Sequence, residues 1–290
     1  MAKKINSRRA AVQSIAALLQ NAHFKGFFTG KLYTGKLKQV CVPGLNCYSC
    51  PGAVGACPIG ALQNALSGFH TSIPYYVVGL ILFFGAILGR AVCGFLCPFG
   101  FIQDLLYKIP FVKKIKTFKG DKILRYLKYI VLITLVIILP LCVKLTPFFC
   151  KYLCPTGTLA GILLGLADSK VFAMMGSRFA WKICVLGMIA LAGIVIARPF
   201  CRYLCPLGAI YAPLNKISLV KLSCDKKKCT DCGACQSVCP MQVNPARQPN
   251  SLECIRCGRC GAVCPSSALG LTIKAYQKQS CKNDEIFKND

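Results

Sequence analysis

Acidic residues are scarce in this chain: nine Asp and Glu stand against 36 Lys and Arg in 290 residues, a formal charge of +27. The nine are scattered, so no carboxylate pair is spaced for general acid–base work. Histidine is rarer still, with His23 and His70 alone, and Trp181 is the one tryptophan. The chain has no C-x-x-C-H, no G-x-G-x-x-G and no P-loop, the signatures of covalent c-type haem, dinucleotides and nucleoside triphosphates. Residues 39–89 contain no Lys, Arg, Asp or Glu. With 55% apolar composition, that excludes an ordinary soluble domain. The basic residues flank apolar spans instead of forming one stripe, which argues against a nucleic-acid surface.

Cysteine is the abundant residue, with 22 copies. So many in so long a chain do not describe a short secreted disulfide scaffold; they describe thiolate ligands. Two ladders stand near the C-terminal end. One is Cys229, Cys232, Cys235, Cys239 and Pro240; the other is Cys254, Cys257, Cys260, Cys264 and Pro265. Each reads C-x2-C-x2-C-x3-C-P, the two-cluster ferredoxin spacing, in which the fourth cysteine serves the other cluster. The expected ligand sets are Cys229, Cys232, Cys235 and Cys264 for one [4Fe-4S] cluster, and Cys254, Cys257, Cys260 and Cys239 for the second. Structural zinc uses two cysteine pairs around a spacer instead. Each cube with four thiolates carries about −2, which offsets part of the positive charge. Cys224 and Cys281 flank this region and read as non-ligands.

Apolar spans run from about 72 to 89, 124 to 143 and 179 to 197, each near the roughly 20 residues a bilayer helix needs. Arg125, Lys128 and Lys182 lie near span ends, where cationic side chains reach the headgroups, with Tyr75, Tyr76, Tyr126, Tyr129 and Trp181 as interfacial aromatics. A weaker fourth span covers 10–28. If it crosses, segments 1–9 and 90–128 face the cytoplasm with four and nine Lys/Arg, and 25–72 and 144–182 face outward with four and five. That satisfies the positive-inside rule and places the ferredoxin ladders in the cytoplasm.

A phrase repeats four times in this part: Cys57-Pro-Ile-Gly-Ala-Leu-Gln, Cys97-Pro-Phe-Gly-Phe-Ile-Gln, Cys154-Pro-Thr-Gly-Thr-Leu-Ala and Cys205-Pro-Leu-Gly-Ala-Ile-Tyr. Cys93, Cys150 and Cys201 precede the last three by four residues; Cys50 precedes the first by seven, with Cys47 and Cys41 beyond it. Alternating spans put the second and fourth phrases inside and the first and third outside. Two such pairs offer the four thiolates of one cubane. The expected inner set is Cys93, Cys97, Cys201 and Cys205. The expected outer set is Cys50, Cys57, Cys150 and Cys154, with Cys47 and Cys41 as alternatives and copper as a rival occupant. Cys142 and Cys184, unpaired in mid-span, read as inert buried thiols. His23 and His70 read as interfacial, with a b-type haem or a quinone site as the alternative. Lys226 to Lys228 read either as a dock for an acidic donor or as a solvated turn.

Cys93-Gly-Phe-Leu-Cys97-Pro and Cys201-Arg-Tyr-Leu-Cys205-Pro, joined to a terminal two-cluster ferredoxin, resemble the membrane-bound 4Fe-4S polyferredoxin family. That family includes NapH-type quinol dehydrogenase subunits, NosR regulators and CcoG cupric reductases. The resemblance implies four transmembrane helices, cytoplasmic clusters and electron transfer for a partner system. The chain departs from it by lacking the flavin-binding domain of NosR and by carrying Cys47-Tyr-Ser-Cys50-Pro, Cys57 and Cys150/Cys154.

The expectation is a mainly α chain. A four-helix transmembrane part of repeated helix/C-x3-C-P-x-G units, 1–219, is followed by an α+β two-[4Fe-4S] ferredoxin-like domain, 220–290. It would lie in a prokaryotic cell membrane as a multi-pass protein with the ferredoxin domain cytoplasmic. Single electrons would pass between a cytoplasmic donor such as ferredoxin and an acceptor such as a flavoprotein or quinone, the chain serving as an electron-transfer subunit of an oxidoreductase system. The rivals are a quinol dehydrogenase or cupric reductase subunit, and a redox-sensing regulator. Membrane lipid, and no nucleic acid, completes the expected partners. Anaerobically purified protein should contain about 16 irons per chain, four per cube; about eight irons with copper would support the copper rival instead.

Overall fold

Proline sets the local geometry at each repeated phrase. It disfavours the α region for the residue before it and starts a helix well, since its missing N–H is not needed there. Cys57, Cys97, Cys154 and Cys205 accordingly hold extended backbone (ψ 127, 117, 112 and 112°), and helices begin at the next residue: Pro58–Ser67, Pro98–Leu106, Pro155–Ala167 and Pro206–Leu214. In the last three phrases the chain arrives through a widened turn. The N–H of Cys97 donates to Val92 O (3.1 Å), that of Cys154 to Phe149 O (2.9 Å) and that of Cys205 to Phe200 O (2.9 Å).

This is a computed structural model, and it describes residues 2–68, 74–110, 114–168 and 176–273, with side chains from residue 7 onward. His70 and Cys281 fall outside the described residues. The protein is mainly helical. Two helices are long and apolar enough to cross a membrane by length and composition, Asp121–Cys142 and Ser177–Val195. Only 22% and 17% of their apolar windows are buried, so most of each apolar surface faces outward. Tyr75–Leu88 is apolar but has 14 residues. The weak span expected over 10–28 is not one helix. A helix runs Ala2–Gln20, and a separate short one, Lys25–Thr29, follows. The longer helix buries Arg9, Gln13 and Ala16 and exposes Val12, Ile15, Leu18 and Leu19.

Within Asp121–Cys142 the turn widens to π over Leu132–Ile138. In that register N–H(i) bonds to O(i−5). Pro140 has no N–H, so the Leu135 carbonyl lacks its helical donor, and the Gln63 amide donates to it at 2.7 Å.

The C-terminal unit is α+β. Strand Val220–Cys224 pairs antiparallel with Leu269–Ile273, Val220 opposite Ile273. The short helices Ala234–Ser237 and Arg259–Val263 each follow a glycine in left-handed backbone, Gly233 (φ 71°) and Gly258 (φ 73°). The unit is fastened to the helical part by buried ion pairs. Glu253 accepts from Arg90 at 2.9 Å and from Lys128. Within the helical part Asp104 accepts from Arg198 (2.6 Å) and Arg9 (2.7 Å), and Arg259 of the C-terminal unit approaches it at 3.7 Å.

Two sequence expectations need correction here. Lys128 does not reach toward headgroups: its side chain is fully buried against Glu253. Cys142 and Cys184 are exposed, not buried. Both follow from helix rotation, which span length alone does not set.

Burial pushes the Asp104 carboxyl up, but Arg198, Arg9 and Arg259 prevail and hold it well below the usual carboxylate range. Its stabilisation is therefore complete above the unfolded value of about 3.9 and is lost as pH falls through the depressed folded value. Asp104→Ala should cost on the order of 3–5 kcal/mol by stranding buried arginines. Thermal unfolding in detergent should show the deficit unchanged from pH 8 to about 5 and shrinking only in stronger acid.

Candidate iron–sulfur sites

Four groups of cysteines collect in the fold. In the C-terminal unit one hollow is lined by Cys229, Cys232, Cys235 and Cys264. A second is lined by Cys239, Cys254, Cys257 and Cys260. Each ladder's fourth cysteine lines the other ladder's hollow. Cys232 is exposed, and Cys235, Cys257 and Cys260 are buried. Backbone N–H groups point at these sulfurs: Ala268 N–H donates to Cys264 Sγ (3.3 Å) and Arg256 N–H to Cys254 Sγ (3.4 Å). Cys224 packs with the first group and is hydrogen-bonded to Cys229.

The inner group comprises Cys93, Cys97, Cys201 and Cys205, all buried and close enough to act on one another's charge. It lies where the helices Pro98–Leu106 and Pro206–Leu214 begin. There N–H groups are free and the helix dipole is positive, which suits an anionic occupant. Gly208 N–H donates to Cys205 Sγ (3.4 Å), and the backbone N–H of Gly100 donates to Cys97. Gln103 binds the opposite phrase twice. Its amide donates to Cys201 Sγ (3.1 Å), and its carbonyl oxygen accepts from Phe200 N–H (3.1 Å).

The outer group differs from the expectation at one position. Cys57, Cys150 and Cys154 act on one another, and the fourth thiol among them is Cys47, not Cys50. Cys50 turns aside to pack with Ala53 and Ala160, and it accepts N–H bonds from Gly52 and Ala53. Cys41 is held in a bridge to Ala56. The seven-residue gap between Cys50 and Cys57 was read as a stretched pair, but the turn over 47–53 presents the earlier cysteine. Gln63, at the position of Gln103 in its phrase, accepts from Cys150 N–H (3.3 Å). Glutamines thus tie the first phrase to the third and the second to the fourth. Lys182 faces this group, near Gly157 and acting on Cys47 and Cys150. His23 is engaged by its ring nitrogen Nδ1 with Pro51 O (2.9 Å).

The residues fit [4Fe-4S] clusters on two counts. Thiols are the ligands such clusters use. Second, Arg9, Arg90, Lys128, Arg198, Arg202 and Arg256 are buried around the inner group and its neighbour, answered by three carboxylates, Asp104, Asp121 and Glu253. Nε of Arg9, Arg90, Arg202 and Arg256 has no partner. Buried cations in excess require an anion, and a thiolate-ligated cube is one. Burial pushes the Cys57 and Cys260 thiols up to about 12, and the Cys47 and Cys201 thiols to about 11, so metal must displace those protons on assembly.

Arg90, Arg198, Gln63 and Gln103 join the cysteines as residues of these sites, without being ligands. The signal was their fixed offset, three residues before the first cysteine or six after the second. Cys47→Ser should remove about four irons per chain and Cys50→Ser none, read by iron and sulfide analysis of anaerobic protein.

Comparison with known proteins gives the same chemistry. The 4Fe-4S binding domain family matches residues 73–118, 127–171 and 177–223, and the 4Fe-4S dicluster domain family matches 221–265. An uncharacterised protein of Methanocaldococcus jannaschii is 30% identical over 61% of this chain and 61% of its own length. The methylamine utilization ferredoxin-type protein MauN of Paracoccus denitrificans is 28% identical over 63% of this chain and 60% of its own. The ferredoxin-type protein NapH of Haemophilus influenzae is 27% identical over 61% and 58%. The chain thus spans about three fifths of the length of these relatives. No solved structure matches. Cluster-binding domains along most of the helical part, a dicluster unit behind them and ferredoxin-type relatives make this chain a member of the polyferredoxin family of the NapH type.

Proposed function

We propose that the chain is an integral membrane electron-transfer protein, passing single electrons between a low-potential cytoplasmic donor and an acceptor in or beyond the membrane. Residues 1–219 form the membrane part and 220–290 the terminal two-cluster unit. A bound [4Fe-4S] group supplies reversible uptake of one electron. The ligand sets are the two C-terminal groups, the inner group, and Cys47, Cys57, Cys150 and Cys154.

The observation that carries this reading is continuity. Cys257 of the C-terminal unit, Cys93, Cys97 and Cys205 of the inner group, and Cys57 and Cys154 of the outer group share one buried core, with Cys239 and Cys150 packed against it. Tyr211, fully buried, lies within electrostatic reach of Cys57 and of Cys93, Cys97 and Cys205, so inner and outer groups share a wall. Its hydroxyl donates to Pro43 O at 3.1 Å. A bilayer core about 30 Å thick needs such intermediate stations. The exposed Cys232 marks the end where a soluble carrier would approach. The positive turn Asp225–Lys228 beside it, closed by Lys228 N–H to Asp225 O at 3.2 Å, suits an acidic one.

Membrane insertion is supported by the outward apolar faces of Asp121–Cys142 and Ser177–Val195, where Ile130, Ile133, Met188 and Leu191 are each more than half exposed. A soluble core helix would bury them. The weight of Lys and Arg on 1–9 and 90–128 supports a cytoplasmic C-terminal unit.

The test is Cys97→Ser with Cys205→Ser in sealed vesicles. Electron delivery from the cytoplasmic face to an impermeant outer acceptor should fall more than tenfold, while the EPR signals of the two C-terminal clusters persist. Full transfer in that variant rejects the proposal.

A further inference from the structure

Arg90 and Arg198 occupy equal places in their phrases, three residues before Cys93 and Cys201. Both are fully buried. They cross over. Arg90 Nη2 donates to Cys201 O (3.3 Å), and Arg198 Nη1 donates to Cys93 O (2.6 Å). The glycine of each phrase lies against the opposite arginine: a Cβ on Gly208 would lie 3.4 Å from Arg90 Nη2, and one on Gly100 3.3 Å from Arg198 Nη1. Each arginine is backed by one carboxylate, Glu253 for Arg90 and Asp104 for Arg198. Both act on Cys93 and Cys201, and Arg90 Nε is buried without a partner. Arg198 also holds left-handed backbone (φ 52°), a conformation that persists only where surroundings over-determine it. The outer group has no such pair: Gly44 and Pro147 stand three residues before Cys47 and Cys150.

We propose that Arg90 and Arg198 form a reciprocal clamp of positioning residues, which raises the reduction potential of the cluster on Cys93, Cys97, Cys201 and Cys205 and leaves that of the outer cluster unaffected. This rests on the proposed function's reading of those four cysteines as one ligand set. The physical reason is that reduction adds one negative charge to a buried anion, and nearby buried cations and N–H donors stabilise the reduced form. Arg198 also acts on Cys257, and Arg90 donates to Leu252 O (2.8 Å) beside Cys254. The neighbouring cluster on Cys239, Cys254, Cys257 and Cys260 therefore feels the clamp more weakly, and the cluster on Cys229, Cys232, Cys235 and Cys264 does not feel it.

The experiment is an EPR-monitored redox titration of the full chain in detergent, with iron analysis, for Arg90→Gln and Arg198→Gln separately. Each should lower the reduced-to-oxidised ratio of the inner cluster at fixed potential by about tenfold, about 59 mV for one electron. The neighbouring cluster should shift less and the other two not at all. Arg90→Lys, which keeps the charge but not the planar fork, should recover part of the shift. If a Gln variant loses about four irons, the Lys variant at that position is read instead and must move the same cluster in the same direction. Full iron with an unmoved inner potential overturns the clamp, and so does an equal shift of all four clusters. Wild-type protein without an inner cluster signal overturns the ligand-set reading itself.

Discussion

Buried positive charge facing buried thiols is the constraint on which this structure depends. An arginine removed from water is costly unless hydrogen-bonded and opposed by negative charge. Arg90, Arg198, Arg202 and Arg256 are all within 1% of complete burial, on or beside the helices and turns that carry the cysteines. Carboxylates answer only part of that charge. The rest requires an anion among the thiols, so the protein's charge balance and its cofactor chemistry form one problem. Asp104 and Glu253 do double duty: each opposes an arginine of the inner group, and each also bonds a second element, the N-terminal helix in one case and Lys128 in the other.

A single local device, used four times, builds the cysteine groups of the helical part. Cys-Pro forces an extended residue before a helix start, and the glycine two residues after the proline brings its N–H or its open side toward sulfur. Pairing the copies takes more than the device. Gln63 and Gln103 reach across to the third and fourth phrases, and the π turn upstream of Pro140 leaves the carbonyl that Gln63 also binds. The outer and inner groups are thus two versions of one construction, differing in that arginines line one and Lys182 the other.

Much of the site was legible in the residues. The ferredoxin ladders, their crossed fourth cysteines and the four phrases are matters of spacing, and spacing along a chain is visible without a structure. The choice of Cys47, one of the alternatives, over Cys50 was not, because the turn over 47–53 and the packing of Cys50 on Ala160 decide which thiol faces the group. Lys128 escapes a reading by span position, since a cation near a span end has two possible destinations, and helix rotation with Glu253 on offer selects the buried one. The N-terminal helix ends at Gln20 instead of running on to 28, and its buried face, Arg9 and Gln13 with Ala16, is largely polar, which hides the usual apolar stripe.

The sequence by itself determined the chemistry, cysteine thiols spaced for 4Fe-4S binding along a strongly apolar chain, because ligand type and short-range spacing are covalent facts. Tertiary structure alone decided which thiol stands with Cys57, Cys150 and Cys154, which buried cations stand beside the inner group and how the C-terminal unit abuts the helical part. Those outcomes depend on side chains up to 163 positions apart, as with Arg90 and Glu253, meeting in a core where every charge must find its opposite.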